Sequence, residues 1–260
     1  MNLIHLKFSA TDSIAYIEIN RPEKRNALND VLIKEITDTF IHISKIQSVK
    51  AAILTGSGKT FCSGADLEYL QNISQYSIEE NQDDSKKLLR MYQSIYECRK
   101  PVIAMVDGPA LAGGCGLITV CDFILASKEN AKFGYPEVKI GFIPAIVLIY
   151  LIKRIGEGHA RDLVLSGKII SSEEAKQIGL INGFVNSKDL KEFTNSFTRE
   201  LLNKNSGTAM SLCKEMFVSY SNMDTKQALE YAANLNAISR MTDDCKRGVS
   251  SFLKKEKIKW

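Results

Sequence analysis

Apolar and polar residues alternate from Leu3 to Phe8 and again from Ile14 to Ile19, with Asp12 and Ser13 between the runs. Period two is the mark of a strand with one buried face, so the chain opens as a predicted β-hairpin. The period then changes. Leu28, Leu32, Ile36, Phe40 and Ile43 recur at helical spacing behind the polar stretch Arg21–Asp30, and Asn26 is a candidate cap for that helix. Val49–Thr55 reads as a compact apolar strand, closed by Gly56 and Gly58. A short helix is predicted from near Asp66, then a mobile surface loop over the polar run Ser74–Asp84. Ser85–Cys98 reads as a helix with Leu88, Leu89, Tyr92, Ile95 and Tyr96 on one side. Pro101 opens a strand, Val102–Val106. Leu111–Val120 begins at glycines and turns apolar, which predicts a buried helix, and Phe123–Ala126 is a further strand.

Strands alternating with helices predict an α/β core with a mostly parallel sheet. Parallel strands are buried on both faces, which suits the runs AAILT and PVIAMV. After Asn186 the pattern is helical throughout, over 188–203, 207–221, 224–239 and 242–255. The expected division is a core over 1–188 and a helical region over 189–260, with no flexible linker between them. The chain has 260 residues, 45% apolar and 25% charged, an ordinary soluble mix for one large domain. A formal charge of +4 is mild. Without an aromatic-interleaved basic patch or zinc spacing, nucleic acid is not a favoured partner. No apolar run approaches the roughly 20 residues of a membrane span, so no membrane partner is expected. The N-terminus lacks a leader pattern. Six cysteines include no CxxC pair, and Cys115, Cys121 and Cys213 sit in apolar runs where a thiol acts as a small hydrophobe. A reducing, cytoplasmic location is the expectation.

Candidate chemistry gathers between Gly108 and Glu137. Gly113 and Gly114 precede an apolar helix, where glycine lets a ligand approach the backbone and N–H groups point at an anion. The competing reading is a tight buried turn. FCSGAD, at 61–66, is a second such element, and two N–H donors aimed at one oxygen form an oxyanion hole. Glu137 follows Pro136 in a packed-looking segment, where a raised pKa suits a general acid or base; alternatively it is an exposed carboxylate paired with Lys139. Asp122, in apolar surroundings, reads as a structural acceptor or a partner for a cation. Cys62 has no histidine near it, and His5, His42 and His159 form no metal or triad set, so no metal site is expected. GSGK at 56–59 lacks the phosphate-loop frame, and GxGxxG is absent. The terminal KKEKIKW is a solvated face or a phosphate contact.

RPEKRNALN at 21–29, TFCSGADL at 60–67, GPALAGGCGLITVCD at 108–122, AKFGYPEVKIGFIP at 131–144, LVLSGKIISSEEAKQIGLIN at 163–182 and the GVSSFLKKEK tail form a specific set. With them the whole chain resembles the crotonase superfamily, the enoyl-CoA hydratases and isomerases. The resemblance implies a spiral of ββα turns with a C-terminal helical region, assembled as a homotrimer or dimer of trimers. It implies an acyl-CoA thioester substrate, with coenzyme A part of the substrate and no separate cofactor. The N–H groups of Ala65 and Gly113 would hold the thioester oxygen, and Glu137 would be the catalytic acid. Coenzyme A would run past Lys24, Asn26, Ala27 and Leu28, then past Ser63, Asp66 and Leu67. Lys255, from the same or a neighbouring subunit, would meet its phosphates. Leu70, Gly114, Gly116, Pro136 and Phe142 would border the acyl group.

The chain departs from the family pattern at one acid. Typical enoyl-CoA hydratases use two glutamates; the second position matches Glu137 and the first matches Gly116. One extra residue separates these positions, and AIVLIY at 145–150 replaces the usual glycine-rich run. Three readings follow. Glu137 alone, with ordered water, supports hydration, and Gly116 with the EVKIGFIPAIV segment resembles bacterial 3-methylglutaconyl-CoA hydratases of leucine catabolism. Alternatively Glu137 shuttles one proton between C2 and C4 as an enoyl-CoA Δ3–Δ2 isomerase. The third reading is an acyl-CoA-binding oligomer without catalysis.

Overall fold

The computed structural model describes residues 3–260, with Leu67 described by its backbone alone; the expected coenzyme A contact of the Leu67 side chain therefore lies outside the described residues. β1 (Leu6–Thr11) and β2 (Ile14–Ile19) pair antiparallel, from Leu6 against Ile19 to Thr11 against Ile14. Asp12 and Ser13 take φ of 51° and 64°. Two positive φ values make the turn whose twist matches the strands it joins. That turn pins the register, so the first strand runs up to Thr11 instead of ending at Phe8.

α1 (Asp30–Lys45) is capped by Asn29, not Asn26: the Leu32 N–H donates to Asn29 Oδ1 at 3.0 Å. Asn26 is buried in a left-handed conformation. Its Oδ1 accepts from the Arg21 N–H, and its Nδ2 donates to the carbonyls of Ser57 and Thr60. It ties the 21–28 loop to the turn after β3 (Ala51–Gly56). α2 (Leu67–Ile73) is capped by Asp66, as its sequence predicts. α3 (Ile78–Tyr96) starts two turns earlier than the expected loop allows, because Ser77 and Glu80 form a reciprocal capping box. Polar residues at 78–84 are thus the solvated first turns of a helix.

The remaining elements are β4 (Val102–Val106), β5 (Pro109–Leu111), α4 (Gly113–Thr119), β6 (Phe123–Ser127), β7 (Lys132–Gly134) and α5 (Ala145–Ser166), which is broken at Gly156. Then come β8 (Ile169–Ile170), α6 (Ser172–Gln177), β9 (Gly183–Val185), α7 (Ser187–Lys204), α8 (Gly207–Ser219), α9 (Thr225–Met241) and α10 (Asp243–Leu253).

Two sheets result. The larger has the order β1-β2-β3-β4-β6-β9 and is parallel from β2 onward; the smaller is β5-β7-β8. The larger sheet is covered on both faces, as period two along its strands requires. Ala52, Leu54, Val102, Ala104, Ile124 and Ala126 belong to one large core with residues of α1, α3, α4 and α5, while Ala51, Ile53, Ile103 and Leu125 share a second core with Leu190 of α7. Each fully buried Leu, Ile or Phe contributes about 1.5–3 kcal/mol.

The repeated unit is a long strand, a short strand and a helix. β4, β5 and α4 form one turn of this spiral. β6, β7 and α5 form the next. The turn before them runs from β3 through an isolated pairing at Cys62 into α2. In the short-strand layer Cys62 pairs with Ala110, and Ala110 pairs with Phe133. These residues make one row across three turns, and the chain leaves each at a similar point.

α7 closes the open face of the large sheet, with Phe197 against Phe123 at 5.0 Å between ring centroids. α8 is tied to the core by Lys214, which donates to Asp122 Oδ2 at 2.5 Å. Asp122 also accepts the Val102 N–H at 2.7 Å, the structural role its sequence suggests. α9 and α10 bury no residue completely, and Leu229, Ile238, Met241, Val249, Phe252 and Leu253 are exposed.

Candidate active site

The row of Cys62, Ala110 and Phe133 places the chemistry. Three residues beyond them in sequence stand Ala65, Gly113 and Pro136, and Glu137 follows directly. The two glycine-bearing elements meet: a Cβ built on Gly64 would lie 3.5 Å from Gly113 N, and one on Gly113 would lie 3.9 Å from Gly64 Cα. The 63–66 segment is held by Leu28, whose N–H donates to the Gly64 carbonyl at 2.7 Å and whose carbonyl accepts from Asp66 at 2.9 Å. Among the described residues, neither the Ala65 nor the Gly113 N–H donates to a protein acceptor. Both remain available to an outside oxygen, the arrangement an oxyanion hole requires.

The Gly113 turn is tightly constrained. Ala112, just before it, takes φ 51° and ψ −128°, a sparsely populated region for a residue with a Cβ. Holding a residue there costs on the order of 1–3 kcal/mol, offset by the surroundings. Here the Ala112 N–H donates to Gly134 at 2.9 Å and its carbonyl accepts from Gly116 at 3.0 Å. A Cβ on Gly114 would overlap the carbonyl of Cys62, so glycine is what lets α4 approach the row. At the far end of α4, Arg154 donates to the carbonyls of Thr119, at 3.1 Å, and of Cys121. A cation there suits the negative end of a helix.

Glu137 sits in a single helical turn, Pro136–Ile140, and is only 8% exposed. Its Oε2 is buried without a hydrogen-bond partner among the described residues. Burial strips water from the carboxylate and pushes its pKa up to about 7, against a small opposing backbone hydrogen bond. The alternative of an exposed acid paired with Lys139 is overturned. A carboxyl poised near neutrality gives and takes protons with little penalty in either direction.

Other candidates divide. Ala27 and Leu28 are buried beside the 63–66 segment, Asn26 is consumed in tying loops, and Ser63 is half-buried. Asp66 is fully engaged: it caps α2 and pairs with the buried Arg21 guanidinium at 3.0 Å. Lys24 and Lys255 are exposed in the single chain, on different elements. Leu70 and Pro136 are half-buried, and Phe142 is exposed alongside Ile140 and Ile143. Cys62 is buried with its thiol pushed up to about 12 by desolvation, which disqualifies it as a nucleophile. Cys213, expected in an apolar setting, is exposed. A cavity of about 750 Å³ lies elsewhere, between the C-terminal end of α4, α5 and α8, and Glu137 does not line it.

Two residues at the site escaped the sequence reading. Tyr92 is buried, and its hydroxyl donates to the Gly113 carbonyl at 2.9 Å. Val147 of α5 covers Gly116: a Cβ on Gly116 would overlap Val147 Cγ1 and lie 3.1 Å from Tyr92 Oη. Tyr92 reads in sequence as one more apolar position; its hydroxyl, amid leucines and isoleucines, was the available signal.

Known proteins share this architecture. Residues 9–260 match the family model described as Enoyl-CoA hydratase/isomerase. A Thermus thermophilus relative is 36% identical over 242 residues, 93% of this chain and 95% of that one. The crotonyl-CoA hydratase of Syntrophomonas wolfei is 35% identical over 248 residues, 95% of this chain and 94% of that one. A solved enoyl-CoA hydratase from Mycobacterium smegmatis has a TM-score of 0.91 at 26% identity, over 99% of each chain. The crotonase-like fold, with its ββα turns and C-terminal helices, is thus the fold of this protein, and the chain belongs to the enoyl-CoA hydratase/isomerase family.

Proposed function

We propose that this protein is a lyase that adds water to 2-enoyl-CoA thioesters. The observation that carries the reading is the buried, unpartnered carboxyl of Glu137, one residue beyond the Pro136 that stands in register with Ala65 and Gly113, whose N–H groups have no protein acceptor among the described residues. Addition at C3 drives electron density onto the thioester oxygen. Two backbone donors there stabilise the enolate as it forms, and losing one costs roughly 3 kcal/mol. Glu137 takes a proton from water and returns it to C2. Coenzyme A runs past Lys24, Ala27, Leu28 and Ser63, and Lys255 approaches its phosphates.

The acyl group we favour is 3-methylglutaconyl. Glycine at 116 removes one carboxylate from the pocket, which lowers repulsion toward a substrate with its own distal carboxylate. Residues 189–260 form the assembly region of a homotrimer or a dimer of trimers, supported by the apolar side chains left exposed on α9 and α10. Four buried, unpaired cysteines accord with a cytoplasmic setting. A single acid equally suits a Δ3–Δ2 isomerase, since one base takes and returns the same proton.

A panel of 2-enoyl- and 3-enoyl-CoA esters, read by mass spectrometry, tests these readings. Gain of water by a 2-enoyl ester, strongest with 3-methylglutaconyl-CoA and abolished in Glu137→Gln, is the expected result. A shifted double bond without gain of mass would replace the hydratase by the isomerase, and binding without turnover would remove both.

A further inference from the structure

Of the two backbone donors, Gly113 has a helix to hold it, as the first residue of α4. Ala65 has none. It follows Gly64, which takes φ 94°, and precedes Asp66, the cap of α2. What aims its N–H is one neighbour, Leu28, across an isolated bridge. Leu28 donates to the Gly64 carbonyl and accepts the Asp66 N–H, one bond on each side of Ala65. In a parallel pair, the residue between two such bonds turns its own N–H and C=O to the opposite side. The Ala65 N–H therefore points away from Leu28, and its direction is only as firm as that bridge.

One buried side chain staples the bridge together. Arg21 is 6% exposed. Its Nη1 donates to the carbonyl of Ala27, the residue before Leu28. Its Nη2 donates at 3.0 Å to Oδ2 of Asp66, the residue after Ala65. A planar guanidinium holds two such acceptors in a fixed relation, which a single ammonium does not. Arg21 is itself anchored: its N–H donates to Asn26 Oδ1 at 2.8 Å, and its carbonyl accepts the Asn26 N–H at 2.8 Å. Its Nε is buried without an acceptor among the described residues. Packing alone would be served better by an apolar side chain, which leaves no such donor unmet.

Resting on the Ala65 donor of the reading above, we propose that Arg21 is a positioning residue for the oxyanion site, fixing the direction of the Ala65 N–H by clamping Ala27 to Asp66. It acts through the backbone and need not touch substrate. A donor already aimed does not reorient as charge grows on the thioester oxygen. Its benefit is realised in the transition state, hence in kcat rather than in affinity for coenzyme A.

The reporter is the thioester carbonyl. Butyryl-CoA labelled with carbon-13 at that carbonyl has no double bond to hydrate. It is bound to wild type, Arg21→Met/Asp66→Asn and Asp66→Asn, and its C=O stretch is read by isotope-edited infrared difference spectroscopy. The double variant removes both buried charges together, so neither is left unpaired, and asparagine still caps α2. Asp66→Asn alone keeps an acceptor for the guanidinium. Wild type should lower the stretch relative to the free ester. R21M/D66N should lose about half of that lowering, because one of two donors is misaimed, and about tenfold or more in hydration kcat. Its affinity for free coenzyme A should stay within about threefold of wild type, and D66N should keep most of the lowering. Full lowering in the double variant would overturn the proposal. An equal loss in D66N would assign the effect to charge, a parallel loss of coenzyme A affinity to displacement of the whole loop, and unfolding of the double variant on melting to stability; each overturns it. A wild type that leaves the stretch unchanged would sink the oxyanion reading of Ala65 and Gly113, and this inference with it. A wild type that lowers the stretch but hydrates no 2-enoyl ester would sink the hydratase reading and leave the role of Arg21 standing.

Discussion

Glu137 combines a cost to the fold with the chemistry proposed for it. Its ordinary pKa of 4.5 rises to about 7 in the folded chain because burial disfavours the charge. Between those values the folded state keeps a proton that the unfolded chain has released. Stability therefore falls as pH rises from about 4.5 through 7 and is level above that. Glu137→Gln should remove this fall and stabilise the protein at pH 8 by roughly 1–2 kcal/mol, once solvent screening is allowed for. Denaturant melts of both proteins at pH 5 and pH 8 check it; equal differences at the two pH values would mean that the carboxyl is not desolvated. Glu137, Gly113 and Ala65 stand out as candidates in the sequence because their motifs are dense with glycine and proline, which fix the backbone. Tyr92 and Val147 do not, because their meaning lies in contact with Gly116 across the fold, and no local pattern encodes that.

Helices and strands were legible where periodicity was long, and misread where a polar side chain had a specific local partner. The four C-terminal helices follow from their spacing almost residue for residue. Asn26 illustrates the other case. It has the composition of a cap, yet Asn29 is the one positioned to receive the Leu32 N–H, while Asn26 bridges two loops. The first turns of α3 were read as loop because they are charged and solvated; the signal overlooked was Ser77 with Glu80 three residues on. Ser77→Ala should cost about 1 kcal/mol and raise hydrogen exchange at 78–84 ahead of the rest of α3. Uniform exchange along the helix would show that packing, not the cap, holds its start. Because α3 carries Tyr92 in its later, buried turns, the loss should leave the site intact.

At the scale of the whole molecule, the distribution of apolar surface is uneven. The core is closed on both faces of the large sheet, whereas α9 and α10 leave a line of large side chains in solvent, with Phe252 82% exposed. Patches of this kind mark surfaces that meet a partner. If α9 and α10 carry the contacts of the proposed trimer or hexamer, Phe252→Asp should shift the mass toward monomer in light scattering, with the far-ultraviolet spectrum unchanged. An unaltered mass would place the subunit contact elsewhere.

The row of Cys62, Ala110 and Phe133 acts as a ruler. Neighbouring strands stand about 4.8 Å apart, and that pitch is set by backbone hydrogen bonds rather than by any side chain. The three groups proposed to act together on one thioester each follow a successive rung within a few residues. The lengths of the excursions between rungs do not enter their spacing. The chain is therefore free to lengthen, shorten or bend α2, α3 and α5, and so recut the space for the acyl group, while the reacting atoms keep their distances. Diversity of substrate and constancy of chemistry then come from one architectural fact: recognition is written in the detours, and reactivity in the rungs.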